Sequence, residues 1–410
     1  VAARVPSPAA FAAGWILGGV LALAGALTFA ELAALYPRTG GMYVYIREAF
    51  GRAPAFLFGW AELLIIRPAS FGAIAITSAE YAWRLVGIDG GTPIGGVPYF
   101  SRAQITGALL IALVGVVNYR GVQLGAIVQN ISTAVKVAAL ALIVAVGFAL
   151  APATPAAAAP IAPWALSGFG LALVSILWAY DGWADVAFVS GEVRDPQRNL
   201  PRALFIGTTM VVVLYLAANL VYAHVIPLAK MPGSPLIAAD AAYAVAGSAG
   251  VAFVSAAVMI STFGTLNGSM MTGPRVFFAM AEDRLFFQRL AAVHQRFGTP
   301  AASITLAALL GIVYVSIRTF GQLADQFIIG IWPFYALAVA AVFVLRRRRP
   351  EAERPYRTLG YPAVPALFLL ASLYLLGNYM VSEPVVFGID VLVILAGLPV
   401  FFWLERRQRA

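Results

Sequence analysis

The chain has 410 residues, 61% of them hydrophobic and 11% charged, with a mean hydropathy of +0.87; soluble domains carry roughly 25% charged residues, which excludes water as its surroundings. Cysteine is absent, excluding disulfides, thiolate chemistry and cysteine-held metals, and His224 and His294 are too few to build a histidine metal cluster. The net charge of +9 would suit nucleic acid, but only its distribution along the chain decides that.

Apolar runs near or above the roughly 20 residues that cross a bilayer recur along the chain. Eleven spans are predicted, over 8–35, 54–84, 103–118, 123–150, 167–190, 203–226, 248–273, 301–317, 325–345, 361–381 and 385–404. "YPRTGG", "GIDGGTPIGGVP", "NYRG", "RDPQRNLP" and "RRRRPEAERP" separate them with turn formers and charges that a spanning helix disfavours. The Ala/Pro run at 151–163 reads as a short connecting loop. No nucleotide-binding glycine loop and no soluble domain of useful length is present, so no cofactor is expected.

The first span carries Glu31 near one end, where an interfacial anchor is expected. The second holds Arg67 at mid-depth, followed by Pro68, whose missing N–H frees a carbonyl one turn back. Glu62 lies five residues before Arg67, a poor match of faces for a direct pair on an α-helix, so Arg67 reads as structural. In the fourth span Lys136 lies about 20 Å along the helix from its start. A lysine at mid-membrane costs about 2.5–3.5 kcal/mol unless paired or hydrated, and no acidic residue is near it on its own helix. Its partners must come from other spans, either as a fixed cation beside a pathway or as a structural ammonium held by carbonyls.

The fifth span contains "SILWAYDGWADVAF", residues 175–188, which sets Asp181-Gly182 near mid-depth. Glycine permits non-helical dihedrals and aspartate competes for backbone hydrogen bonds. Unpaired backbone groups at that depth must line water, protein or ligand, and transporters bind their substrates at such interruptions. Trp178, Tyr180 and Trp183 would wall the break; a merely kinked helix is the alternative. Beyond it, Asp195 before Pro196 is a helix-start pairing, expected to open a short surface helix. The 248–273 span is rich in Ser and Thr, and Ser261 and Thr265, four apart, share a face that could offer oxygens to Lys136.

Of the 27 Lys and Arg, 20 fall on one side of the predicted spans and 5 on the other, with Arg67 and Lys136 inside. The heavy side is the cytoplasmic one, so the charge reports topology and no nucleic-acid partner is expected. This places Val1 outside and the last residue inside, and at least one further helix is expected upstream of Val1.

"AELAALYPRTGGMYVYIREAFG", "ELLIIRPAS", "NISTAVKVAALALI", "WAYDGWADVAFVSGEVRDPQRNLPRA", "NGSMMTGPRVFFAMAEDR" and "RRRRPEAERPYRTLGYP" together resemble the L-type amino acid transporters of the amino acid–polyamine–organocation superfamily, in order along essentially the whole chain and closest in style to bacterial members. The resemblance implies an all-α integral membrane protein of the LeuT-type inverted-repeat fold, with eleven spans present of an expected twelve. Residues 1–150 would hold family helices two to five of an incomplete first repeat, 151–345 helices six to ten of the second, and 346–410 the last two. The family's first helix, which carries half of the substrate site, would precede Val1. For residues present, the resemblance implies that the Trp178, Ala179 and Asp181 backbone accepts a substrate ammonium, with Gly182 allowing the break. Trp178 would close over the substrate, and Trp332 would line its side-chain pocket. Ala187 stands where some relatives carry asparagine, and Asp181 replaces a glycine common in animal members. Lys136 and Ser261 match the fifth-helix lysine and eighth-helix hydroxyl that stand where sodium-coupled relatives bind sodium. Animal members bond a glycoprotein subunit through a cysteine, which this chain cannot do.

The expected function is transport of neutral amino acids across a bacterial inner membrane by alternating access, as an exchanger or sodium-independent carrier. A proton-coupled symporter titrating at Asp181 or Lys136, a non-transporting amino acid sensor and an incomplete fragment are the alternatives. No nucleophile–base spacing suggests an enzyme.

Overall fold

The computed structural model describes residues 1–97, 100–150, 165–234 and 236–409, so the Ala/Pro run at 151–163 lies outside the described residues. Each predicted apolar run is helical, with 167–190 and 385–404 each divided into two segments. In chain order these are α1 (Pro8–Leu35), a short α2 (Met42–Phe50), α3 (Arg52–Leu85), α4 (Arg102–Tyr119), α5 (Val122–Leu150), α6 (Leu166–Tyr180), α7 (Pro196–Val225) and α8 (Ile237–Thr272). They continue with a short α9 (Pro274–Glu282), then α10 (Ala301–Ile317), α11 (Phe320–Arg348), α12 (Ala363–Ser382), α13 (Pro384–Leu395) and α14 (Gly397–Arg409). No β-strand occurs among the described residues. Among the described residues ten segments are long and apolar enough to cross a membrane, and α10 adds a shorter one of 17 residues. The protein is a multi-pass membrane protein.

Local chemistry fixes the helix ends. Ser101 and Gln104 form a capping box at the start of α4, and Thr319 and Gln322 form another at α11, each pair satisfying two of the N–H groups that a helix start leaves free. The predicted start at 248 coincides with a kink in α8 at Ala246 and Gly247, where φ of Gly247 is +60°. The stretch from Ile237 up to that kink is a helical segment of its own.

The bundle is inside out by aqueous standards. Leu109, Ile131, Val213 and Leu373 are each 60–68% exposed on helix faces that only lipid would cover. α3 is buried along most of its length and α5 along little, so α3 is central and α5 peripheral. Missing side chains set the closest approaches. A Cβ on Gly18 would lie 2.5 Å from Ile176 Cγ2, and one on Gly25 2.6 Å from Trp183 Cη2, so α1 takes α6 and its continuation against bare backbone. A Cβ on Gly264 would lie 2.0 Å from Ser132 Oγ, which sets the line where α5 meets α8.

Two expectations are corrected. Asp195 does not open a short surface helix. Its carbonyl accepts from Arg198 and Asn199 N–H at 3.0 Å and starts the 30-residue α7, which continues past Pro201 through the apolar stretch to Val225. Glu31 is no interfacial anchor either; it is 2% exposed. Arg346 grips it with bonds of 2.9 and 2.7 Å, Arg354 Nε lies 3.4 Å away, and the Thr358 N–H and hydroxyl both donate to it at 2.8 Å. Burial is affordable because both its oxygens are satisfied, and the result ties the loop after α11 to α1.

Candidate functional site

α6 ends at Tyr180. Asp181 is extended (φ −69°, ψ 161°), Gly182 is left-handed (φ 108°, ψ −12°), and a 3-10 helix then runs over Trp183–Glu192. The interruption expected at Asp181-Gly182 is therefore a true break. The last α-helical carbonyls of α6 point into it without a following turn to satisfy them, and carry the negative end of that helix dipole. Trp178 O is the exception, accepting from Asp181 N–H at 3.3 Å. Open space surrounds Gly182, with nothing within 4 Å of where its Cβ would be.

The Asp181 carboxylate accepts a hydrogen bond from the Tyr335 hydroxyl of α11 at 2.7 Å. Tyr335 leans on Trp183 (ring centroids 5.0 Å) and meets Trp332 edge-on at 5.8 Å, while Trp332 stacks on Phe368 at 5.4 Å. Trp332 therefore reaches the break through Tyr335. Trp178 is half-buried and meets Phe320, the first residue of α11, edge-on at 5.2 Å. Ala179 is likewise half-buried at the last turn of α6. Ala187 is fully buried, and a Cβ on Gly41 would lie 2.6 Å from its carbonyl carbon and oxygen. Gly40 N–H donates to Phe188 O at 3.0 Å, so the loop before α2 seals this end of the broken segment.

Beneath the break sits a charge network that sequence reasoning missed. Residues Glu62–Ile66 of α3 form a π-helical turn in which Arg67 N–H donates to the Glu62 carbonyl. An i→i+5 turn stacks residues five apart, and Arg67 Nε bonds Glu62 Oε1 directly. The judgement that Glu62 faces the wrong way for Arg67 holds on an α-helix and fails on this turn. Arg67 also forks onto Asp185, with Nη1 3.1 Å from Oδ2 and Nη2 2.8 Å from Oδ1, and donates to Ser269 at 2.9 Å. Thr272 donates to Asp185 at 2.8 Å. The carbonyl freed by Pro68 is that of Leu64, and the Tyr314 hydroxyl takes it. Two carboxylates, Glu62 and Asp185, thus share one guanidinium, and Glu62 Oε2 is buried with no hydrogen bond among the described residues. Tyr335 lies three residues after Trp332 on α11, so its signal was helical spacing from a residue already singled out, whereas the break removes any such spacing between Asp181 and Asp185.

Lys136 reaches α8 along the line set by Gly264. Its Nζ donates to Thr265 Oγ1 at 2.7 Å, and that hydroxyl donates to the Ser261 carbonyl at 3.0 Å. Of the two hydroxyls expected to face Lys136, the structure brings Thr265 to the ammonium and uses Ser261 through its backbone. Thr265, Ser269 and Thr272 follow one face of α8, so the lysine and the arginine network lie along a single polar seam.

Residues 1–403 match the amino acid permease family. The chain is 32% identical over 397 residues to the serine/threonine exchanger SteT of Bacillus subtilis, covering 96% of this chain and 88% of that protein. It is 32% identical over 394 residues to the human b(0,+)-type amino acid transporter 1, covering 95% and 79%, and 31% identical over 405 residues to the rat large neutral amino acids transporter small subunit 2, covering 95% and 72%.

Proposed function

Because this chain belongs to the amino acid permease family, we propose that the amino acids it transports are neutral ones, exchanged across the membrane by alternating access without sodium. The observation that carries this reading is the break at Asp181-Gly182. The carbonyl end of α6 offers partial negative charge to a substrate ammonium, and the backbone of Trp178, Ala179 and Asp181 would accept it. Trp178 would close over the substrate and Trp332, through Tyr335, would shape the side-chain pocket beside Ala187. Lys136, held by Thr265 and the Ser261 carbonyl, puts a fixed cation where a transported one would otherwise be needed. Residues 1–150, 151–345 and 346–410 would form the two repeats and the final helix pair, with the basic ends of the helices in the cytoplasm of a bacterial cell and Val1 outside. With no cysteine in this sequence, no disulfide-linked subunit is part of this reading.

The test is counterflow in proteoliposomes preloaded with serine, alanine or leucine, in sodium-free buffer with equal pH on both sides. Uptake of labelled substrate that depends on the internal amino acid supports exchange; uptake that needs sodium, or that ignores the internal pool, overturns it. A second reading, proton-coupled symport, is favoured by Glu62 and Asp185 sharing the single Arg67 guanidinium, one more carboxylate than it can neutralise. Under that reading an imposed pH gradient drives net uptake into vesicles containing no amino acid.

A further inference from the structure

At the basic end of the bundle, a cavity of about 300 Å³ opens between the start of α7 and the loop that follows α11. We propose that it binds an anionic phospholipid, with the phosphate between Arg198 and Arg202 and an acyl chain lying along Phe205 and Ile206.

Spacing supplies the first support. Residues 198, 202, 205 and 206 stand at i, i+4, i+7 and i+8 on α7 and so form one stripe. The stripe starts with two exposed guanidinium groups and passes directly to Phe205 and Ile206, 44% and 62% exposed on the face that lipid must cover. Its continuation, Val213, is 60% exposed. A cationic head leading into an apolar track is the complement of a lipid with an anionic headgroup.

Charge supplies the second. Neither Arg198 nor Arg202 has an ion pair or side-chain hydrogen bond among the described residues, although Arg346, Arg349 and Arg354 nearby in the fold are engaged with Glu31 or Glu48. No carboxylate lines the cavity. Arg198 also stands in the first turn of α7, where the helix dipole makes a cation unfavourable and an anion welcome. A bound phosphate resolves all of these at once. The opposite wall, Pro355, Tyr356 and Leu359, is mostly apolar with the one Tyr356 hydroxyl, and would flank the glycerol region.

The test uses the full chain, purified in detergent and titrated with phosphatidylglycerol, phosphatidylcholine or inorganic phosphate, with retained lipid read by native mass spectrometry. Wild type is expected to retain phosphatidylglycerol in preference to phosphatidylcholine. The Arg198→Gln/Arg202→Gln variant should lose about thirtyfold in affinity, from about 1 kcal/mol for each basic side chain beside an anionic lipid, while Arg198→Lys/Arg202→Lys keeps most of it. Phe205→Ser should weaken phosphatidylglycerol binding with both arginines intact. Counterflow activity in each variant verifies the fold. Equal retention by wild type and the double glutamine variant overturns the proposal. So does an equal loss from Arg406→Ala at the same basic end, which would mean bulk charge alone. Displacement of the lipid by millimolar inorganic phosphate would mean a soluble-anion site and equally reject it.

Discussion

Arg67 and Glu62 are bonded side chain to side chain across five residues of α3, a pairing that exists only because the intervening turn is π-helical. The same guanidinium forks onto Asp185, beyond the break, so α3 holds the 3-10 half of the interrupted segment in place. A Cβ on Gly273 would lie 2.5 Å from Arg67 Cδ, so the end of α8 is stripped to let the arginine through. Removing the cation strands two carboxylates in a buried site. Arg67→Ala is expected to destabilise the protein by about 3–5 kcal/mol, the cost of breaking a buried pair from one side. It should show as loss of monodisperse protein in detergent and a lowered unfolding temperature. Arg67→Lys should recover only part, since an ammonium cannot fork. An unfolding temperature equal to wild type for Arg67→Ala would remove the network from any structural role.

The contrast between Thr265 and Ser261 gives a paired test. Thr265→Ala deletes the hydroxyl that Lys136 donates to, and hydrogen bonds to charged groups contribute about 1.5–3 kcal/mol. Ser261→Ala leaves the carbonyl that orients Thr265. Counterflow should fall roughly tenfold or more in Thr265→Ala, in step with that energy, and stay near wild type in Ser261→Ala. Lys136→Ala should fall at least as far as Thr265→Ala. Equal effects at both hydroxyls would mean that the ammonium visits Ser261 as well during transport.

Much of this was legible beforehand, and the exceptions share a cause. Apolar runs as long as a bilayer is thick leave little freedom, so the predicted runs fall on helical segments, ten of which are long and apolar enough to cross a membrane among the described residues. Asp181-Gly182 was legible because both residues disfavour a helix for separate reasons, one conformational and one by competing for hydrogen bonds. Glu62 with Arg67 was not, because face matching assumes 3.6 residues per turn and nothing in "ELLIIR" announces a wider one. Tyr335 was hidden among the aromatics of an apolar helix, where most rings serve only packing. Glu31 looked interfacial because its partners, Arg346, Arg354 and Thr358, are more than 300 residues away in the chain.

Gly182 separates conformation from packing. With φ at +108° and nothing within 4 Å of a would-be Cβ, Gly182→Ala adds no clash and changes only the backbone preference. Left-handed backbone costs a residue with a side chain roughly 1–2 kcal/mol. Gly207, inside α7 with helical dihedrals and equally open space, is the matched control. Gly207→Ala should be neutral or stabilising by up to about 1 kcal/mol, the difference in helix propensity. Thermal unfolding of the two variants should therefore move in opposite directions, and counterflow should drop only in Gly182→Ala. Identical behaviour would show that the break relaxes into a helix at little cost.

Tyr335 and Asp181 can be dissected because one bond joins them and each can lose it differently. Tyr335→Phe keeps the ring against Trp183 and Trp332 but removes the donor, leaving Asp181 Oδ1 without its hydroxyl. A buried acceptor left unsatisfied costs about 1–3 kcal/mol. Asp181→Asn keeps an oxygen for the Tyr335 hydroxyl while removing a negative charge near Asp185, so repulsion near the break falls. The unfolding temperature should drop in Tyr335→Phe and hold or rise in Asp181→Asn. In the double variant the cost of Tyr335→Phe should shrink, because a neutral amide is cheaper to leave unpaired than a carboxylate. Transport adds what stability cannot. If the hydroxyl serves to aim the carboxylate into the break, Tyr335→Phe should raise KM for the amino acid with a smaller change in turnover. A variant that loses stability but keeps its KM would make this bond a brace for α11 and nothing more.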